Sequence, residues 1–273
     1  MAQATSVTTP RLTRLLDFAE PGPDDFCLDL SYGPASLATA LAPRVRHLTS
    51  IETAPIPDDT APDLASAARA TRRPEAVSEG TGEGRMPTLV FGKGPRTLVR
   101  GAARLRADAR ALPCRDAAFS LVTCRSALYR MDDAEAALRE MLRVCRPGGR
   151  LVIADLIRPN ARGLDRDRIE RLRDPGHPPT PSIARLVELV TQAGADVRRL
   201  DVFTVERPVE TWLGPAADGL AARRIRAMLT EEVDGGPRTG AKPRIIGGEL
   251  WITQRWIHLA ASPIGPGTDR FQH

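Results

Sequence analysis

The stretch Asp29-Leu30-Ser31-Tyr32-Gly33-Pro34-Ala35 decides the fold. The apolar run Phe26-Cys27-Leu28 leads into it, and the helical pattern Ser36 to Leu41 follows. A second strand-like run, Val45 to Ile51, then ends at Glu52. Strand, tight small-residue turn, helix, strand, acid is how a parallel sheet holds a nucleoside cofactor at its carboxyl edge. Small residues let the backbone approach the ligand. An acid closing the second strand accepts hydrogen bonds from ribose hydroxyls.

The chain has 273 residues, enough for one large domain, or a domain with a lid, around a sizeable core. Its 42% hydrophobic and 27% charged content is that of a soluble globular protein. No apolar run approaches the ~18 residues of a membrane span. Met1 to Pro10 lacks an apolar signal core, so a cytoplasmic location is expected. The net charge of +5 comes almost wholly from Arg; only Lys93 and Lys242 are lysines. Those arginines are dispersed among acids with few aromatics between them, so neither a nucleic-acid nor a membrane partner is expected. Cys27, Cys114, Cys124 and Cys145 form no C-x-x-C pair, and the four histidines show no ligand spacing, so no metal is expected.

Outward from the opening stretch, Arg11 to Phe18 reads as a leading helix. Residues 53–100 are rich in Pro, Gly, Ala and charge and read as a disordered insertion. Strands are expected at Ala103 to Ala107, Ala118 to Cys124 and Leu151 to Ile157. Asp132 to Cys145 reads as an amphipathic helix, N-capped by Asp132 or Asp133 and ended by Pro147-Gly148-Gly149. Helices are expected over Gly163 to Arg173, Ser182 to Ala193 and Ala216 to Glu232. Two late strands, Val197 to Val205 and Leu250 to Ala260, are expected to pair antiparallel.

The segments Arg106-Ala107-Asp108-Ala109, Ala111-Leu112-Pro113, Leu121-Val122-Thr123 and Leu138-Arg139-Glu140-Met141-Leu142-Arg143-Val144-Cys145-Arg146-Pro147-Gly148-Gly149 carry a resemblance. The chain resembles the class I S-adenosylmethionine-dependent methyltransferases, in their type 11 small-molecule branch, well over 20–160 and weakly on to 260. The resemblance implies an α/β, Rossmann-like fold. Its sheet is mostly parallel and seven-stranded, with helices on both faces, an antiparallel C-terminal edge and a helical lid. It implies a single domain over 1–262, with a cofactor-binding core at 20–160 and the lid and edge strands at 161–262; a disordered tail over 263–273 is expected.

It also implies S-adenosylmethionine as cofactor and roles by position. Asp29 would organise the methionine end, with Ser31, Gly33 and Ala35 as the turn beneath the cofactor. Glu52 would take the ribose. Asp108 would accept from the adenine amino group beside the Ala109 N–H. Cys124 and Arg125 would line the cofactor near the methyl-transfer centre. Ser31 and Ala35 stand where the family has glycine, and Ser120 where it often has an acid.

The expected reaction is in-line displacement of a sulfonium methyl by an O, N or C nucleophile of a small acceptor, in secondary or quinone-like metabolism. Positioning and desolvation do most of this work, and a general base is needed only for a phenol or alcohol. Tyr129 and His177 are the catalytic candidates. Each has a plainer reading, as a core aromatic and a loop histidine. The alternatives are altered chemistry on the same fold, a cyclase or hydrolase, or a non-catalytic partner. The chain is expected to be a monomer or homodimer.

Overall fold

The computed structural model describes residues 9–31, 36–52, 102–158 and 166–264. The insertion expected at about 53–100 lies outside them, as do Gly33, Ala35 and residues 265–273. Among the described residues the strands are β1 Phe26–Ser31, β2 His47–Glu52, β3 Ala102–Arg106, β4 Phe119–Arg125, β5 Cys145–Leu156, β6 Ala195–Pro208, β7 Arg244–Ile246 and β8 Glu249–Pro263. The helices are α1 Pro10–Ala19, α2 Ser36–Leu41, α3 Ala134–Val144, α4 Asp167–Arg173, α5 Ile183–Gln192, α6 Val209–Leu213 and α7 Leu220–Val233.

Seven strands run in the order β3-β2-β1-β4-β5-β8-β6, and the short β7 pairs with β8. The five strands from β3 to β5 are parallel. β8 is antiparallel to both β5 and β6. The expected mostly parallel Rossmann-like sheet is present, and its antiparallel strand is second from the edge, with β6 outermost. Gly247 and Gly248, with φ of 59° and 83°, make the β7–β8 turn, which demands two left-handed residues.

Side chains alternate across the sheet because successive Cβ atoms point to opposite faces. Leu28, Leu30, Val122, Ile153 and Leu259 bury one face with Leu138 and Met141 of α3 and Leu186 and Val190 of α5. Cys27, Leu48, Leu121 and Val152 bury the other with Leu15 and Leu16 of α1 and Leu37 and Leu41 of α2. Helices therefore cover both faces. A third cluster joins Ile169 of α4, Trp212 of α6 and Ile225 and Leu229 of α7 to Ile252 of β8.

α3 starts where Asp133 accepts the Ala136 N–H at 2.9 Å, and Leu138 and Met141 on its buried face are fully enclosed. Truncating Leu138 to Ala removes contacts worth roughly 2–5 kcal/mol. The helix does not end on Pro147-Gly148-Gly149. Those residues lie within β5, where the pairing jumps from Phe119↔Cys145 to Leu121↔Arg150. Gly149 is required there, since a Cβ would sit 2.8 Å from the Arg146 carbonyl oxygen and the Cys145 sulfur. The first residues of the expected tail are paired: Pro263 pairs with Ala195, and the Ile264 N–H donates to the Gly194 carbonyl at 3.0 Å.

The amino end of β1 is clamped. Arg150 Nη2 lies 2.6 Å from Asp25 Oδ2, the Ser120 hydroxyl donates to Asp25 Oδ1 at 2.6 Å, and the Phe26 N–H donates to Ser120 at 3.0 Å. Burial opposes ionisation of Asp25, but Arg150, Ser120 and the Gly22 N–H outweigh it and hold the carboxyl below its ordinary range.

Candidate functional site

The chain runs from β1 outward to β2 and β3, then crosses back to β4 on the other side of β1. At such a reversal the connections leave a crevice outside the carboxyl ends of the strands. One row of the sheet defines that edge: Arg106, Glu52, Ser31, Arg125 and Ala154 are successive register partners. The sequence candidates on three strands, Glu52, Ser31 and Arg125, therefore meet at one rim. Asp108 and the buried Ala109 follow β3 at the same end.

Asp29 lies just inside this rim, fully buried, and accepts from the Thr123 hydroxyl at 2.7 Å. A buried carboxylate needs such partners. Arg125 is half-buried; burial lowers its pKa and the Asp29 carboxylate opposes the shift. Cys124 packs in the core with no exposure, and burial raises its thiol well above the ordinary value, with Asp155 and Asp29 adding to the shift. Its sulfur is a packing group, so only its backbone faces the rim. Asp108 is held by Arg110, whose Nε and Nη2 reach the two carboxylate oxygens at 2.8–3.0 Å while its backbone N–H donates at 2.8 Å. That fork lowers the Asp108 pKa. Arg110 is 52% exposed, so it can yield to a competing donor at little cost.

The two catalytic candidates come together. The rings of Tyr129 and His177 are tilted at 52°, with centroids 5.4 Å apart. Tyr129 follows β4 in a 3-10 turn, Leu128–Arg130, and its hydroxyl accepts from Arg130 Nε at 2.9 Å. Burial, helped by Asp155 and Glu170 against Arg130, raises the phenol to about 12, so it is protonated at neutral pH.

His177 is buried, and burial lowers its pKa. Thr180 Oγ1 donates to Asp167 Oδ1 at 2.5 Å, so it is left to accept from His177 Nε2 at 3.3 Å. This places the proton on Nε2 and the lone pair on Nδ1, which has no hydrogen-bond partner among the described residues.

Sequence reasoning passed over Asp155. It sits at the end of β5, fully buried, with the Leu156 N–H on Oδ1 at 3.0 Å and no hydrogen-bond partner on Oδ2 among the described residues. Burial raises it to about 7, only partly offset by the backbone N–H groups of Leu156 and Tyr129. Its signal was an acid inside the apolar run Leu151 to Ile157. No metal-binding group of His, Cys, Asp and Glu occurs among the described residues.

The reversal is thus bordered by a rim acid on β2, a buried acid within β1 and an acid after β3. The family described as "Methyltransferase domain" matches residues 90–153. The uncharacterized methyltransferase YcgJ of Bacillus subtilis is 36% identical over 124 residues, covering 45% of this chain and 48% of that protein. Its crystal structure superimposes with a TM-score of 0.67 at 18% identity, covering 93% and 98% of the two chains. Demethylmenaquinone methyltransferase of Mycolicibacterium paratuberculosis is 46% identical over 67 residues, 23% of this chain and 29% of that one. The [4+2]-cyclase SpnF shares the fold with a TM-score of 0.52 at 18% identity, covering 93% and 80%.

The chain has the class I methyltransferase fold, and its residues 90–153 match the methyltransferase domain family. It spans about half, or less, of the length of the curated relatives it matches. No helix among the described residues is long and apolar enough to cross a membrane.

Proposed function

We propose that the protein transfers a methyl group from S-adenosylmethionine to a small-molecule acceptor. The observation that carries this reading is the rim on which Glu52, Ser31 and Arg125 are register partners, with Asp29 buried directly behind. The bound cofactor supplies an activated methyl on a sulfonium leaving group. Glu52 holds the ribose, Asp29 and the turn after Ser31, including Gly33 and Ala35, support the methionine end, and Asp108 with Ala109 meets the adenine. Arg125 and the backbone of Cys124 border the transfer centre.

Tyr129 keeps its proton and orients the acceptor by donating a hydrogen bond. His177 Nδ1 accepts a proton from an acceptor hydroxyl, and the Nε2–H stays on Thr180. The buried walls exclude water, which strengthens each of these contacts. The helices α4, α6 and α7 cover the acceptor as a lid. Demethylmenaquinone methyltransferase, by its name, methylates demethylmenaquinone, and a ring acceptor of that kind suits the Tyr129–His177 pair.

A second reading is altered chemistry on the same fold. It is favoured by Ser31 in the glycine turn and by the cyclase named among the neighbours. Isothermal titration with S-adenosylmethionine, followed by mass spectrometry of acceptors, tests both. Binding near a micromolar Kd, roughly −8 kcal/mol, with a one-methyl mass gain supports transfer. Binding with no methyl gain on any acceptor supports the second reading, and no binding removes both.

A further inference from the structure

Beyond the end of β5, at the same carboxyl edge, lies a cavity of about 270 Å³. Leu156 and Ile157, Thr204 of β6 and Gln254 of β8 form one wall, and Arg166 and Glu170 the other. Arg166 precedes α4 and is only 8% exposed, yet its two terminal nitrogens make no hydrogen bond among the described residues. Nη2 lies 3.2 Å from Glu170 Oε1, close enough for an ion pair but not aligned as a hydrogen bond.

Glu170 is already shared. Arg173 Nη2 is 3.1 Å from its other oxygen, and Gln254 Nε2 donates to Oε1 at 3.4 Å. Arg207, half-buried, reaches Gln254 Oε1 at 3.5 Å. Asp167 turns instead to the Thr180 hydroxyl and N–H. Glu170 is thus paired with both Arg166 and Arg173, Asp167 and Glu232 act more weakly on Arg166, Arg207 lies close by, and Lys242 and Arg255 add charge at the exposed mouth.

A buried guanidinium with unmade hydrogen bonds is an expensive arrangement unless something completes it. Its planar fork matches two oxygens of one oxyanion. The Trp212 ring, 5.5 Å from Arg166 and 4.7 Å from Arg173, backs both groups.

We propose that this cavity binds an oxyanion, carboxylate or phosphate, and that the oxyanion is the charged end of the methyl acceptor. The second half of that statement rests on the methyl-transfer reading; the anion site itself does not. The acceptor is then an anionic small molecule whose charge is anchored by Arg166 and whose nucleophile lies toward Tyr129 and His177.

The test titrates the full chain with benzoate, inorganic phosphate and the neutral isostere benzamide, following the Trp212 indole N–H by NMR. S-adenosylmethionine is titrated in parallel. Saturable binding of benzoate, of phosphate or of both is expected, with benzamide at least about tenfold weaker. Benzoate alone identifies a carboxylate, phosphate alone a phosphate ester. Arg166→Gln should weaken the anion at least about tenfold, and Arg185→Gln on the exposed face of α5 should not. If Arg166→Gln fails to fold, Lys242→Gln should weaken binding about threefold with unchanged Tm.

The site is overturned if neither anion saturates, if benzamide binds as well, or if the folded Arg166→Gln (or, in its place, Lys242→Gln) binds like wild type. Anion binding without S-adenosylmethionine binding would uphold the site and sink the methyl-transfer reading. The reverse would sink the site alone.

Discussion

The rings of Tyr129 and His177 meet at 5.4 Å between centroids, one from the turn after β4 and the other from the loop after α4. Two different segments of the chain thus supply a phenol held protonated and an imidazole held neutral, side by side. A reaction that needs a donor and an acceptor for one hydroxyl finds both there.

His177→Gln is expected to lower methyl transfer to a hydroxyl acceptor by about 10²–10⁴-fold, the usual worth of a general base. Burial lowers the imidazole pKa, so the neutral form persists below the usual ~6.5. The wild-type rate should be flat above that pH and fall only at more acid values. The same shift makes the folded state lose stability as pH drops below the unfolded value. A rate with no acid limb at any pH at which the protein stays folded, or an unimpaired variant, would remove His177 from the chemistry.

Asp155→Asn separates stability from activity. The native carboxyl keeps its proton up to about 7, whereas the unfolded chain releases it near ~3.9. Between those values the native state binds more protons, so wild-type stability falls as pH rises and then levels above 7. Asparagine has no charge to bury. The variant should be more stable at pH 8, by on the order of 1 to 4 kcal/mol, with the gain gone near pH 4. Melting curves at both pH values check this. Equal stability at pH 8 would mean that the Asp155 charge is compensated.

Much of the fold was legible because buried parallel strands are short apolar runs, and Cys27 to Leu30, Phe119 to Cys124 and Leu151 to Ala154 are of that kind. The leading helix, the cap at Asp133 and the late antiparallel pair were equally visible. Pro147-Gly148-Gly149 misled, because a helix stop and a strand bulge use the same residues, and only the partner strand distinguishes them. Asp155 was invisible because an acid within an apolar run says nothing about whether a partner faces it. Arg166 and Glu170 fall within the helix expected over Gly163 to Arg173 without being singled out; their burial depends on β6 and β8, which follow later in the chain. At the rim, strand ends could be read from sequence. The Arg110 grip on Asp108 could not, because it depends on side-chain conformation.

Glu52→Ala and Asp108→Ala should each weaken S-adenosylmethionine about tenfold or more, through loss of charge-assisted hydrogen bonds worth roughly 1.5–3 kcal/mol. Arg110→Ala should act oppositely at Asp108, freeing the carboxylate and tightening binding. Calorimetric titration of the three variants decides. Unchanged curves for both acid variants would displace the cofactor from this rim.

Arg150→Met should destabilise the protein by about 2 kcal/mol at neutral pH, since it leaves the Asp25 carboxylate without its guanidinium. The Asp25 pKa is lowered in the native state. Its contribution is therefore present above the unfolded value of ~3.9 and lost as pH falls through the native one. The difference in urea midpoint should narrow as pH falls below ~3.9, leaving what Arg150 contributes through the Ala19 and Glu20 carbonyls. A constant difference down to pH 2 would show that Arg150 acts through those carbonyls or by packing instead.

The third apolar cluster, in which α4, α6 and α7 pack around Ile252, has a kinetic meaning. It is a small cooperative unit resting on β8, with its own core and few ties to the faces of the sheet. Such units open without global unfolding. Amide protons of α6 and α7 would then exchange with solvent sooner than those of β1 and β4. Arg166 and Glu170 travel with the opening unit, while Leu156 and Gln254 stay with the sheet. Entry of a ligand to the cavity between them would be governed by this local breathing, and its residence time by how often the unit opens.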